Sequence, residues 1–308
     1  MTPTCRLLLL VLLLAAPARA QSTCPEGTYH AGTETQGKVR TVICKCLPGR
    51  TLVGGKCIAP GPSSGPAIAS LMSETEEAEL GRRSAAALEG TMTFVTDPRV
   101  TAYVEGVFNR IVRHSPRPGV AYRVRVCINC GDRVCAVACS LGGGSIYVST
   151  RFIRLASHEG ELAAVLAHEV GHVAARHYAE DDEFRATAVA VLNGGPIWPI
   201  VRRALAMKYS RDNESEADRL AIEMLYRAGI RPTALTTSFE KLRREEEAAR
   251  LSRTSPNLVD PFAGAYFSTH PSLPERMSSI APLLADPRFN TLPTNNSPDF
   301  QTAQSRLP

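Results

Sequence analysis

Two histidines four residues apart, with a glutamate directly after the first, constrain this chain more than any other feature: His168-Glu169-Val170-Gly171-His172. The pattern makes sense on a helix. There, residues i and i+4 share a face, with Cβ atoms roughly 6 Å apart, so two imidazoles can hold one metal ion. Glu169 would sit beside that ion, where its carboxylate can act as a general base on water. The flanking residues agree. Leu162, Val165, Leu166, Val170 and Val173 keep a helical period, Ser157 supplies an N-cap, and the expected helix runs to about His177.

A catalytic zinc ion usually takes three protein ligands and keeps one open position. The metzincin pattern would place glycine three residues after the second histidine and histidine six after it. This chain has Ala175 and Tyr178 there, so that version is excluded. His177 is one residue out of register and reads as a surface residue or an outer partner of the ligands. A carboxylate from a later helix is the alternative. Glu214 and Asp218 are four apart and share a face; one can ligate while the other holds a ligand histidine through its free ring N–H. Glu216 points elsewhere on that helix. Glu180, Asp181, Asp182 and Glu183 compete for the ligand role, but they follow the motif helix so closely that the chain would have to turn back at once.

The rest of the chain suggests export. Leu7 to Ala16 is an apolar run after Arg6, and Ala18-Arg19-Ala20 is a small-x-small cleavage site, so residues 1–20 read as a signal peptide. The run is short beside the ~20 residues that span a bilayer. The formal net charge of +5 is modest and no basic run is interleaved with aromatics, which argues against nucleic acid. Without Cys5, eight cysteines remain: Cys24, Cys44, Cys46, Cys57, Cys127, Cys130, Cys135 and Cys139. An even count in an oxidising compartment implies disulfides, with the pairing left open. A second metal site at Cys127, Cys130, Cys135 and Cys139 is the other reading of the last four.

Residues 21–58 form a small cysteine-rich module that bridges would have to staple, because so short a segment buries little core. The proline-, glycine- and serine-rich stretch 59–72 is a linker. Ser73-Glu74-Thr75-Glu76 resembles a capping box opening a helix, and a second helix is expected over 98–112. Tyr122, Val124 and Val126 alternate with Arg123 and Arg125 as a half-buried strand. Ile146-Tyr147-Val148 is a second strand after the turn Gly142-Gly143-Gly144. The apolar but Gly/Pro-broken stretch 187–201 reads as a lid or a packed loop. A further helix begins near Asp212 and stops at Gly229. Residues 287–308 read as a polar tail.

His168-Glu-x-x-His172, followed by Ser210-Arg211-x-x-Glu214-x-x-Ala217-Asp218, resembles the gluzincin metallopeptidases related to HtpX, BepA, the Oma-type proteases and the CAAX prenyl protease. Thr269-His270-Pro271 through Arg276 is similar to a third motif of that family. The resemblance covers roughly residues 73–286. It implies an α+β, mostly helical zincin-type domain with a small sheet beside the cleft, preceded by the disulfide-stapled module. It also implies one Zn2+ per chain held by His168, His172 and Glu214, with Glu169 as general base. Asp218 would be an outer partner. Arg276 would stabilise charge on the attacked carbonyl, and His270 would act as a removable fourth ligand and gate. The strand Ile146–Val148 would hold a protein or peptide substrate. Segment 135–144 departs from the family's Asn-Ala-Phe-Ala-x-Pro-Gly-Gly pattern, so the cleft edge is reshaped. The expected activity is peptide-bond hydrolysis by an exported, periplasmic or secreted enzyme, with envelope quality control as its expected setting. The competing reading is a latent or non-cleaving, chaperone-like zinc-binding protein. The cysteine module would bind a protein partner.

Overall fold

The computed structural model describes residues 28–36, 39–46, 51–53, 56–58, 72–130, 135–252, 266, 269–270, 273–294 and 297–308. The expected signal peptide, residues 59–71 of the linker, Cys24, and the pairing of Cys44, Cys46 and Cys57 lie outside what is described.

Two compact units divide the chain, Met1–Gly65 and Pro66–Pro308. In the first, β1 (Thr28–Gln36) pairs antiparallel with β2 (Val39–Cys46), and β3 (Thr51–Val53) pairs antiparallel with β4 (Lys56–Ile58).

The second unit is α+β and mostly helical. Its first helix, α1 (Glu74–Glu89), opens on the expected capping box: the Ser73 hydroxyl accepts from Glu76 N at 3.2 Å and Glu76 Oε2 accepts from Ser73 N at 2.7 Å. After β5 (Thr93–Phe94), α2 (Pro98–Val112) occupies the expected residues, with Asp97 as N-cap and Pro98 at its first position. β6 (Arg123–Asn129), β7 (Ala138–Leu141) and β8 (Ser145–Ser149) follow. The sheet order is β5-β6-β8-β7, with β6 and β8 parallel and the outer pairs antiparallel. Val124 and Val126 face the core, while Arg123 and Arg125 on the opposite face pair with Glu89. Gly143 and Gly144, at φ +82° and +95°, make the turn from β7 into β8.

Cys127 is bonded to Cys130 and Cys135 to Cys139, with Cα separations of 5.3 and 5.1 Å. These bridges overturn the second metal site, because sulfurs joined to each other are no longer thiolate ligands. They also bracket the start of β7.

The helices that follow are α3 (Thr150–Leu155), α4 (Glu159–Ala175), α5 (Asp182–Leu192), α6 (Trp198–Ala206), α7 (Arg211–Arg227), α8 (Ala234–Ser252), α9 (Leu273–Leu284) and α10 (Pro298–Ser305). Three expectations need correction. The N-cap of α4 is His158, not Ser157, whose N–H is drawn to Glu161 Oε2 at 2.7 Å. Stretch 187–201 is neither lid loop nor packed loop but parts of α5 and α6. Asp181 caps α5 by accepting from Phe184 N at 2.7 Å, and Gly194 at φ +92° turns the chain between the two helices. Residues 287–308 are not a loose tail. Ser297 caps α10, Phe300 is fully buried beside Tyr103, and Gln304 donates to the carbonyls of Ile153 and Ala156 at 2.7 Å each. Among the described residues no helix is long and apolar enough to cross a membrane.

Candidate metal centre

α4 carries the motif and is buried along almost its whole length, from Glu159 to Ala174. α7 packs directly across it. A Cβ on Gly171 would meet Ala217 O at 2.8 Å, so only glycine allows this approach. The capping box of α7, with the Ser210 hydroxyl accepting from Asn213 N at 3.1 Å, puts Glu214 in the first helical turn. A carboxylate there is favoured by the helix dipole. Glu214 and Asp218, one turn apart, therefore face His168 and His172.

Four side chains converge. His168 Nε2 lies 3.0 Å from His172 Nε2, and Glu214 Oε2 lies 3.5 Å from His168 Nε2. Glu214 Oε1 lies 3.4 Å from His172 Nε2 and 2.9 Å from His270 Nδ1. Donor atoms of His168, His172, Glu214 and His270 all fall within 4.8 Å of one another. Bonds of 2.0–2.1 Å to a tetrahedral ion place neighbouring donors about 3.3 Å apart, so this set fits one divalent metal ion. Burial holds His172 well below the ordinary histidine range, so its ring is neutral and keeps a lone pair for a metal.

Outer partners fix the ligands. Asp218 Oδ1 lies 2.9 Å from His168 Nδ1, which leaves Nε2 as the inward nitrogen. Arg276 donates to both oxygens of Asp218, at 2.9 and 2.7 Å, and its Nη1 lies 2.7 Å from Glu214 Oε2. The guanidinium also stands 4.2 Å over the Phe239 ring. Burial opposes ionisation of Asp218 and Glu214, but Arg276 and the neighbouring histidines together outweigh it and hold both carboxyls below their ordinary range. Arg276 is thus neither a surface residue nor free to meet an attacked carbonyl. It is 2% exposed and its charge is committed to Asp218 and to Glu214 of the donor set.

Glu169 Oε2 accepts from Ser140 Oγ at 2.9 Å, while Oε1 has no hydrogen-bond partner and lies 3.6 Å from His270 Nε2. One oxygen is anchored and the other is available to take a proton. Ser140, Tyr209 and Thr269 line the same cleft with Cys139 and Met207. The Tyr209 ring stacks on His172 with centroids 3.8 Å apart. Burial, with Glu169 nearby, pushes the Tyr209 hydroxyl far up from the ordinary tyrosine range. Sequence reasoning missed Ser140 and Tyr209. Ser140 carried no signal, but Tyr209 stands just before the Ser210 cap and could have been suspected from that position.

The expected substrate strand is corrected. Ile146–Val148 belongs to β8, which is paired on both sides, so its backbone has no free edge. The edge strand beside Glu169 is β7. Of the two readings of His177, the surface one is removed and the outer partner fits: it is 2% exposed, with Nδ1 2.9 Å from His172 Nδ1.

The pattern of Peptidase family M48 matches residues 98–283. The chain is 27% identical over 264 residues to the beta-barrel assembly-enhancing protease of Escherichia coli K12, covering 80% of this chain and 51% of that protein. It is 30% identical over 189 residues to the mitochondrial metalloendopeptidase OMA1 of Schizosaccharomyces pombe, covering 58% and 52%. Over 98 residues it is 36% identical to metalloprotease YcaL of E. coli K12, covering 28% and 39%. The chain spans about half the length of the first two of these relatives. The matched region contains α4, α7 and His270, and so the whole donor cluster: this chain belongs to peptidase family M48.

Proposed function

We propose that this protein is a zinc-dependent metalloendopeptidase that hydrolyses peptide bonds in protein substrates. The observation that carries the reading is the convergence of His168, His172 and Glu214 beside a Glu169 with one anchored and one free oxygen. His168, His172 and Glu214 would hold the ion. Two imidazoles and one carboxylate are a ligand set that zinc takes in hydrolases. Zinc bound there supplies Lewis acidity that polarises the scissile carbonyl and makes water more acidic.

The chain's own residues do the rest. Glu169 takes the proton of the attacking water at Oε1 and delivers it to the leaving amine. Ser140 keeps the carboxylate turned to that task. The free edge of β7 holds the substrate backbone as an added strand, replacing the role first expected of Ile146–Val148. Arg276 keeps Glu214 and Asp218 ionised and in place. A purified preparation should lose protein cleavage on treatment with 1,10-phenanthroline and regain it with added zinc; cleavage indifferent to the chelator would refute the reading.

A latent resting form is favoured by one observation. None of His168, Glu169, His172, Glu214 and His270 is more than 3% exposed. His270 reaches Glu214 and faces Glu169, so it occupies the side of the cluster that a substrate carbonyl needs. Replacing His270 by alanine should raise cleavage several-fold at unchanged zinc content, measured on an unfolded protein substrate. A fall in activity would remove the gate.

Export through the segment 1–20 places this activity outside the cytoplasm, and a mature N-terminus at Gln21 on sequencing is the check. The division into a signal peptide, a module over 21–58, a linker over 59–72 and a peptidase domain is part of the same reading. The relatives named for β-barrel assembly support a role in envelope protein quality control. The cysteine-rich module then serves a protein partner, and its deletion should alter location or partner binding and leave the metal centre intact.

A further inference from the structure

His177 has no part in the proposed reaction, yet the fold goes to some length to bury it against a ligand. α4 ends at Arg176, whose φ of +60° is the only positive value among described non-glycine residues. A side chain with a Cβ disfavours that backbone, so the turn has to be held from outside. Glu77 of α1 holds it, 3.1 Å from Arg176 Nε, and Arg176 Nη2 donates to Met72 O at 2.9 Å. The turn folds the next residue back under α4. His177 Nδ1 arrives 2.9 Å from His172 Nδ1, with the rings edge-on at 75°.

Two ring nitrogens at that distance share one proton, so one must donate and the other accept. His172 Nε2 faces the donor cluster and needs its lone pair for a metal. The His172 proton therefore belongs on Nδ1, and His177 Nδ1 accepts it. That leaves the His177 proton on Nε2, the nitrogen that faces the Glu216 carboxylate at 3.5 Å. The two ligand histidines are thus supported differently, His168 by the carboxylate of Asp218 and His172 by the imidazole of His177.

We propose that His177 is a positioning residue that accepts a hydrogen bond from His172 Nδ1–H, fixes its tautomer and strengthens zinc binding. The proposal rests on His172 being a zinc ligand. Its test is the zinc dissociation constant of the full chain, measured by competition with a chelator of known affinity. His177→Phe keeps the ring volume and removes the acceptor; it should weaken zinc about 10- to 100-fold. His177→Asn loses volume but returns an oxygen near the Nδ1 position; it should bind zinc more tightly than His177→Phe. In the zinc-loaded wild type, nitrogen NMR should show His172 protonated at Nδ1. Wild-type affinity in His177→Phe, or weaker binding by His177→Asn than by His177→Phe, overturns the proposal, the second result because it would make packing the cause. His172→Ala is the control: undiminished zinc binding there would sink the ligand assignment itself and the proposal with it.

Discussion

Replacing Glu169 by glutamine is expected to cut peptide hydrolysis by about 10²–10⁴-fold, the usual contribution of a positioned general base. The substitution keeps size and the hydrogen bond from Ser140 Oγ, which Glu169 Oε2 accepts at 2.9 Å. It removes the negative charge and the lone pair that takes a proton. The donor cluster does not include Glu169, so zinc content should stay at the wild-type level. Substrate binding should change little, because β7 and not Glu169 presents the backbone edge, and the loss should therefore fall on kcat rather than KM. The comparison is made in the His270→Ala background, which removes the proposed gate. Full activity of Glu169→Gln would show that another group handles the proton.

The second large effect concerns stability. Arg276→Met should destabilise the metal-free protein by about 3–5 kcal/mol, read from urea denaturation. Glu214 and Asp218 are both 0% exposed and Arg276 is the cation between them. Removing it leaves two buried carboxylates without that counter-charge. Arg276→Lys should fall between, since a single ammonium cannot make the paired contact that the guanidinium makes with both Asp218 oxygens. A loss below about 1 kcal/mol in Arg276→Met would mean that water or a proton replaces the arginine at little cost.

The helical elements of the site were legible because their signals are local. A 3.6-residue period, capping residues at Ser73 and Ser210, and the four-residue spacings of His168–His172 and Glu214–Asp218 each act within one or two turns. What pairs with what was less legible. β7 was missed as a strand because Ala138–Leu141 is short and lies between a disulfide and three glycines; its partner β8 then looked like the free edge. His177 was left open between surface residue and outer partner because helical geometry carries it away from His172, and only the left-handed turn at Arg176 brings it back. The α5–α6 pair read as a broken loop because Gly194, Gly195 and Pro196 sit between two short helices. α10 read as tail because its anchoring depends on Phe300 and Gln304, two residues in an otherwise polar segment.

The claim that matters most is that Glu214, brought from α7 to the two histidines of α4, completes a zinc site. Zinc quantitation on the wild type and on Glu214→Ala, after dialysis against a weak chelator, tests it directly. The account predicts one zinc per wild-type chain and a large loss in Glu214→Ala. Equal zinc in the two proteins would contradict it.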